Sequence, residues 1–278
     1  DALSLTNRLY YIEGEGYYEN YREDQRAADY ALDVKPGVEP DDELDLIRQK
    51  WVRKKHLGWV PGLNWEQDFG RLLVGGDWYT FTSDHWGDVL WAEGYAPTDF
   101  TEQFKYHQYN GEKDAWSAYA NQRVRVTDGL IVTADLHYQE KKYRFQQNEV
   151  GNFTGTDRHG YTVKYEFFNP KGSINWELPG SVASGTMAMY GSAGINHREP
   201  TDGELFDTWQ SGSDLGVQPL FATSREVLKD DGTVDWVEWI NPYVKPERVV
   251  DYELGLGWQS RAVSVTVGGY WMDFQDEI

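Results

Sequence analysis

Along residues 130–138, LIVTADLHY, apolar and polar side chains alternate. Leu130, Val132, Ala134, Leu136 and Tyr138 fall on one face, and Ile131, Thr133, Asp135 and His137 on the other. A repeat of two predicts an extended strand with one apolar face. The pattern recurs over 115–126, where Trp116, Ala118, Ala120, Val124 and Val126 oppose Ser117, Tyr119, Asn121, Arg123 and Arg125. It recurs over 3–11, 252–258 and 262–272, with Leu3, Leu5, Leu9 and Tyr11, then Tyr252, Leu254, Leu256 and Trp258, then Val263, Val265, Val267 and Trp271 on the apolar side. Helical periodicity is almost absent. By this template the chain holds about nine strands, near 3–18, 46–65, 71–80, 110–126, 130–147, 162–178, 184–196, 248–258 and 262–275.

The connections alternate in length. Short turns are expected near 66–70, 127–129, 179–183 and 259–261, and long polar connections near 19–45, 81–109, 148–161 and 197–247. Short turns on one side and long loops on the other are the layout of a barrel in a bacterial outer membrane. Trp65, Trp176 and Trp258 each precede a short turn on the apolar face. Tyr11, Tyr138 and Trp271 each lie eight residues after the first apolar residue of an outgoing strand. Eight tilted steps rise about 21 Å, close to the apolar band of about 25 Å that aromatic girdles bracket in such barrels. A soluble β-sandwich alternates in the same way, but its strands usually span about 5–6 residues, and it has no reason to sort its loops by length. The expected fold is therefore all-β: a fragment of an antiparallel transmembrane β-barrel.

Composition narrows the picture. No stretch approaches 18 apolar residues, so no membrane-spanning helix is expected. The 13 Trp and 19 Tyr are rings suited to boundaries between apolar and wet surroundings. The formal net charge of -20 argues against nucleic acid as a partner and fits long acidic loops in water. With no cysteine, thiol chemistry and cysteine–zinc sites are excluded.

Several strings, in order along the chain, resemble the barrel region of TonB-dependent outer-membrane receptors, of the kind common in Bacteroidetes. They are LTNRLYYIEGEGYY from Leu5, LIRQKWVRKKHLGWVPGLN before Trp65, GGDWYTFTSDHWGDVLWA over 75–92, FFNPK over 167–171, INHREPTDGEL from Ile195, and KPERVVDYELGLGW with VGGYWMDFQDEI at the end. The resemblance implies one partial barrel domain over 1–278, without a plug. Complete members close about 22 strands around a plug, so nine strands and a break at Ile278 are expected to mark a piece of a larger barrel. It further implies a Gram-negative outer membrane, lipid as surroundings, and energy from the TonB complex acting through the plug. The cargo would be a small-molecule nutrient: a ferric siderophore or other iron complex first, with haem, cobalamin and glycans among the family's other classes. A passive porin-like or adhesin barrel and a secreted carbohydrate-binding β-sandwich remain the alternatives.

Candidate sites are few. His85, Trp86 and Trp91 lie in an expected loop that either touches ligand or only folds against its neighbours. Arg198 and Glu199 precede Pro200, where opposite charges either pin a loop base or bind. Arg123, Arg125, Asp135, Glu177 and Glu253 are expected to face the lumen and the plug. The six histidines lack metal-site spacing. Glu39, Asp41, Asp42, Glu43 and Asp45 lack the calcium-loop pattern. Asn152-Phe153-Thr154 matches a glycosylation pattern that is common by chance. No nucleophile elbow or phosphate-cradling loop is present. No catalytic residue, cofactor or metal is assigned.

Overall fold

The alternation is realised as one sheet in the computed structural model, which describes residues 2–100, 104–206 and 212–277. Its strands are β1 (Ala2–Arg26), β2 (Glu43–Gln67), β3 (Gly70–Ala92), β4 (Lys105–Thr127), β5 (Leu130–Gln147), β6 (His159–Glu177), β7 (Thr186–Arg198), β8 (Phe221–Leu228), β9 (Val234–Pro242), β10 (Glu247–Gln259) and β11 (Ser264–Gln275). Antiparallel neighbours run β1-β2-β3-β4-β5-β6-β7-β10-β11. Among the described residues β1 and β11 pair on one side only, so the sheet is an open wall.

Eleven strands replace the expected nine, and the difference lies on the long-loop side. Much of the expected loops 19–45 and 81–109 continues as strand, because the backbone ladder runs on beyond the region where side chains alternate cleanly. The expected loop 197–247 contains the hairpin β8–β9, closed by the Lys229 N–H to Thr233 carbonyl bond of 2.8 Å. β9 docks parallel to β6 over His159–Tyr161. The short turns fall where expected. Asp128-Gly129 joins β4 to β5, with Thr127 opposite Leu130, as Asp-Gly favours tight hairpins. At the β2–β3 turn, any side chain on Gly70 would run into the Arg123 carbonyl of β4.

The two faces differ sharply. Leu5, Leu9, Leu136, Leu254, Leu256 and Val267 are exposed on the outer face, as lipid contact requires. Trp65, Trp176 and Trp258 mark its lower edge, and the Trp258 Nε1–H donates to the Val182 carbonyl at 2.8 Å. The upper edge is fuller than expected. Trp59 pairs with Trp78, Trp78 with Trp116, Tyr138 with Phe168 and Tyr252 with Trp271. The Trp116 and Tyr138 rings lie 5.2 Å apart. Directly above, on the same face, charge takes over: Lys55 pairs with Glu13, Arg144 with Glu112 and Asp114, and Lys164 with Glu140 and Glu166. An apolar band between aromatic rows, ending in a charged ladder, is the profile of a wall crossing a bilayer.

Among the described residues, the buried apolar clusters lie at the long-loop end. One joins Tyr30, Leu32, Leu46, Val89 and Tyr106, and the other joins Phe145, Tyr161, Val163, Leu205, Phe206 and Phe221. Within the band, lipid takes the place of a core.

This facing predicts an asymmetry. Leu136→Lys or Leu254→Lys places a cation against lipid, at a cost of about 2–4 kcal/mol near the midplane. Barrel assembly, scored by heat-modifiable gel migration, should fall for both. Thr133→Lys, on the inner face, should assemble normally.

Candidate functional site

The inner face is built by the other half of each alternation, and a segment from the long connection folds onto it. After β7, residues 199–206 turn inward through the short helix α1 (Asp202–Leu205), and Phe206 packs on Phe145 with centroids 5.0 Å apart. Further on, the Gln147 amide donates to the Gly212 carbonyl at 2.9 Å. Lys50 Nζ meets Ser213 Oγ at 3.3 Å. The described parts of this connection therefore contact the wall at β5 and at β2.

Arg198 and Glu199 anchor this fold. The Arg198 guanidinium donates to both Glu247 oxygens at 2.8 and 2.7 Å, and to both Glu204 oxygens at 3.2 and 3.0 Å. A planar fork reaching two carboxylates is geometry that lysine cannot reproduce. Glu204 also accepts the Thr201 backbone N–H at 2.6 Å, closing a capping box on α1. Glu199 accepts Lys113 Nζ at 2.8 Å and Lys141 Nζ at 2.8 and 2.9 Å. Burial works against the Glu199 charge, but the two lysine hydrogen bonds outweigh it and hold the carboxyl at about 2. Burial pushes the neighbouring Asp202 carboxyl above its ordinary value, against the pull of Tyr143 and Lys113. These groups edge a cavity of about 550 Å³, lined also by Phe81, Tyr143, Val163 and Tyr165.

A second cavity of about 550 Å³ opens toward β1–β4. Tyr18, Lys50, Lys54, His85, His107, Tyr109 and Ser213 line it. His85 belongs to β3 instead of a loop, because the β3 ladder continues through Asp88. Its ring stacks on Tyr109 at 4.6 Å and bonds to Ser83. Trp86, the next residue, points to the opposite face of the strand, stacks on Trp51 at 5.5 Å, and donates to Asp88 at 3.1 Å. Trp91 lies near the end of β3, 38% exposed, and lines neither cavity. His85 and Trp86 thus both border the first of these cavities from opposite faces of β3, Arg198 and Glu199 both line the other, and Trp91 stands apart from the expected grouping.

The expected lumen residues lie on the inner face by strand parity. Asp135 accepts the Asn121 amide at 2.9 Å and borders a small recess with His137, Asn169, Lys171 and Asn196. Arg123 and Arg125 cluster with Glu66, Asp68 and Arg71 at the short-turn end. Glu253 accepts the Tyr190 hydroxyl at 3.4 Å. Glu177 lies opposite Ala188, and its N–H donates to the Gly129 carbonyl at 2.7 Å. Lys50, Lys54, His107, Lys113 and Lys141 were not among the expected site residues. Extending the period of two upward from Asn121 to Lys113, and from Asp135 to Lys141, finds the two that grip Glu199.

Residues 2–278 match the family described as "TonB dependent receptor-like, beta-barrel". The chain is similar in fold to the copper transporter OprC (TM-score 0.55, 15% identity), covering 98% of this chain and 36% of that one. It is also similar to the ferric-catecholate import receptor Fiu from K12 E. coli (TM-score 0.56, 13% identity), covering 99% of this chain and 38% of that one. No curated protein sequence matches. The chain belongs to the TonB-dependent receptor family as β-barrel sequence, a family of the Gram-negative outer membrane. It spans little more than a third of the length of those two structures.

The anchoring geometry yields two expectations. Arg198→Lys should free residues 199–206 almost as fully as Arg198→Ala, read as faster cleavage there by an added protease. Glu199 has a depressed carboxyl, so its hold on the lysines is complete above the ordinary 4.5 and is lost as pH falls toward about 2. Protease sensitivity of 199–206 should rise across that window in the wild type. In Glu199→Gln it should be high throughout.

Proposed function

We propose that this chain forms part of the wall of a receptor that takes up a scarce nutrient, most closely a ferric siderophore or similar iron complex. The match of residues 2–278 to the receptor barrel family carries this reading. Further strands would complete the wall, since β1 and β11 each leave one edge unpaired and an open edge in lipid is costly. A plug inside the barrel would meet Arg123, Arg125, Asp135, Glu177 and Glu253, and would pass force from the inner-membrane TonB complex. The iron complex is supported by the cavity that combines Lys50, Lys54 and His85 with the Tyr18 and Tyr109 rings. Ammonium groups beside aromatic faces suit an anionic chelate with flat donor groups. The copper and ferric-catecholate neighbours are named for metal-bearing cargo, which agrees with that reading.

The test is growth of a deletion strain with ferric siderophores as sole iron sources. At least one source should fail to support growth, and restoration should require both the gene and a functional TonB. A Lys50→Gln/Lys54→Gln variant should assemble normally but need a higher concentration of that source. Uptake that persists without TonB would favour a passive channel and overturn the reading.

A further inference from the structure

Lys113 and Lys141 stand on the inner faces of adjacent strands, and both ammonium groups converge on one carboxylate. That carboxylate, Glu199, comes from neither strand. It is delivered by the first residue beyond β7, at the head of a segment laid over the inner face. The ion group is not sealed: the side chains of Lys113, Lys141 and Glu199 keep 28%, 21% and 20% of their exposure. It opens into the cavity of about 550 Å³ that Phe81, Tyr143, Tyr165 and Asp202 also line. Two ammonium groups and aromatic rings in one cavity form a receptacle for an anion carried on a flat or apolar body, with Asp202 as the one further carboxylate among the lining residues.

The pattern differs from an ordinary structural ion pair in one respect. The ladders of β4 and β5 fix the backbones that carry the cations, whereas Glu199 is the first residue beyond the β7 ladder, which ends at Arg198. An external carboxylate can take its place without disturbing the sheet. We propose that Lys113 and Lys141 are a binding site for an aromatic or similarly flat organic carboxylate, with Glu199 as its internal stand-in. Binding of that carboxylate displaces Glu199 and loosens the 199–206 segment from the wall. The site is separate from the Lys50–His85 cavity, and its existence does not depend on what the receptor imports.

The experiment uses the receptor purified from outer membranes, with phthalate as the probe and its uncharged diamide as control. Gly203 offers a reporter position, because a side chain there meets no atom within 4 Å, and the chain has no cysteine of its own. Gly203→Cys carrying an environment-sensitive dye should shift its emission with phthalate and stay unchanged with the diamide. Calorimetric titration should show binding that is lost in Lys113→Gln/Lys141→Gln. In Glu199→Gln it should tighten about tenfold, as expected when an internal occupant leaves the site open about a tenth of the time. Heat-modifiable migration checks that each variant is folded. Undiminished phthalate binding without the two lysines, or no gain in Glu199→Gln, overturns the proposal. So does phthalate binding to the wild type that leaves the dye unmoved, a readout that needs no altered lysine or glutamate. Growth on iron complexes is a separate measurement, so loss of the transport reading and loss of this site are distinguishable.

Discussion

The structure depends on the lateral pairing of backbone N–H and C=O groups. Inside a bilayer no water is available to satisfy them, and each unpaired group costs several kcal/mol. A strand meets this demand only through its neighbours, so every strand of the wall is also a condition for the next. The long registers from β1 to β6, with twenty or more residue pairs in β1–β2 and irregularities mainly near the strand ends, follow from that constraint. Side chains are then free to differ completely between the faces. The outer face can be Leu, Val and Trp because it needs no polar partner, and the inner face can be Arg, Asp and Lys because it faces water or protein.

Above the aromatic row the constraint changes. Water can satisfy backbone groups there, so the chain no longer needs pure ladder, and apolar side chains no longer have lipid to face. They turn inward instead. The Phe145, Tyr161, Phe206 and Phe221 cluster forms at the height where the outer face becomes the Lys55, Arg144 and Lys164 ladder. The same strands thus run from a region solvated by lipid into one stabilised by a hydrophobic core. The inward-folded segment belongs to the second region: its own apolar residues, Leu205 and Phe206, are part of that core.

This transition also sets how much was legible in the sequence. Within the band, one face is apolar and the other polar, and strands such as Leu130–Gln147 and the turns at Asp128-Gly129 and 260–263 follow directly from the pattern. Beyond the band both faces carry polar or aromatic side chains. Thr80, Thr82 and Asp84 alternate with Phe81, Ser83 and His85, and no apolar face remains to reveal the strand. His85, Trp86 and Trp91 were therefore expected in a loop. The β8–β9 hairpin was hidden for a related reason, as only its register with β6 distinguishes it from a polar connection. Of the candidate pairs, the charges of Arg198 and Glu199 were visible, but their partners were not. Glu247 and Glu204 lie 49 and 6 residues from Arg198, and Lys113 and Lys141 lie 86 and 58 residues from Glu199. The sheet order makes Glu247, Lys113 and Lys141 neighbours of this corner, and the turn into α1 brings Glu204 back to it.

Charge balance explains why Glu199 turns inward at all. The sequence is strongly acidic, with 46 Asp and Glu against 26 Lys and Arg, so cations on the inner wall have no shortage of carboxylates in the chain. Two ammonium groups half-buried side by side repel each other, and each loses hydration that only a close anion restores. A carboxylate fixed on a third strand would satisfy them permanently. Supplying it from the residue just beyond β7 gives the same neutrality with a counterion that is outside the ladder. Arg198, gripped by Glu204 and Glu247, limits any movement of that counterion to the residues beyond β7. The rigid partners are in the wall and the movable one is in the segment, so any exchange of anions at this point acts on the segment and leaves the membrane-spanning ladder intact.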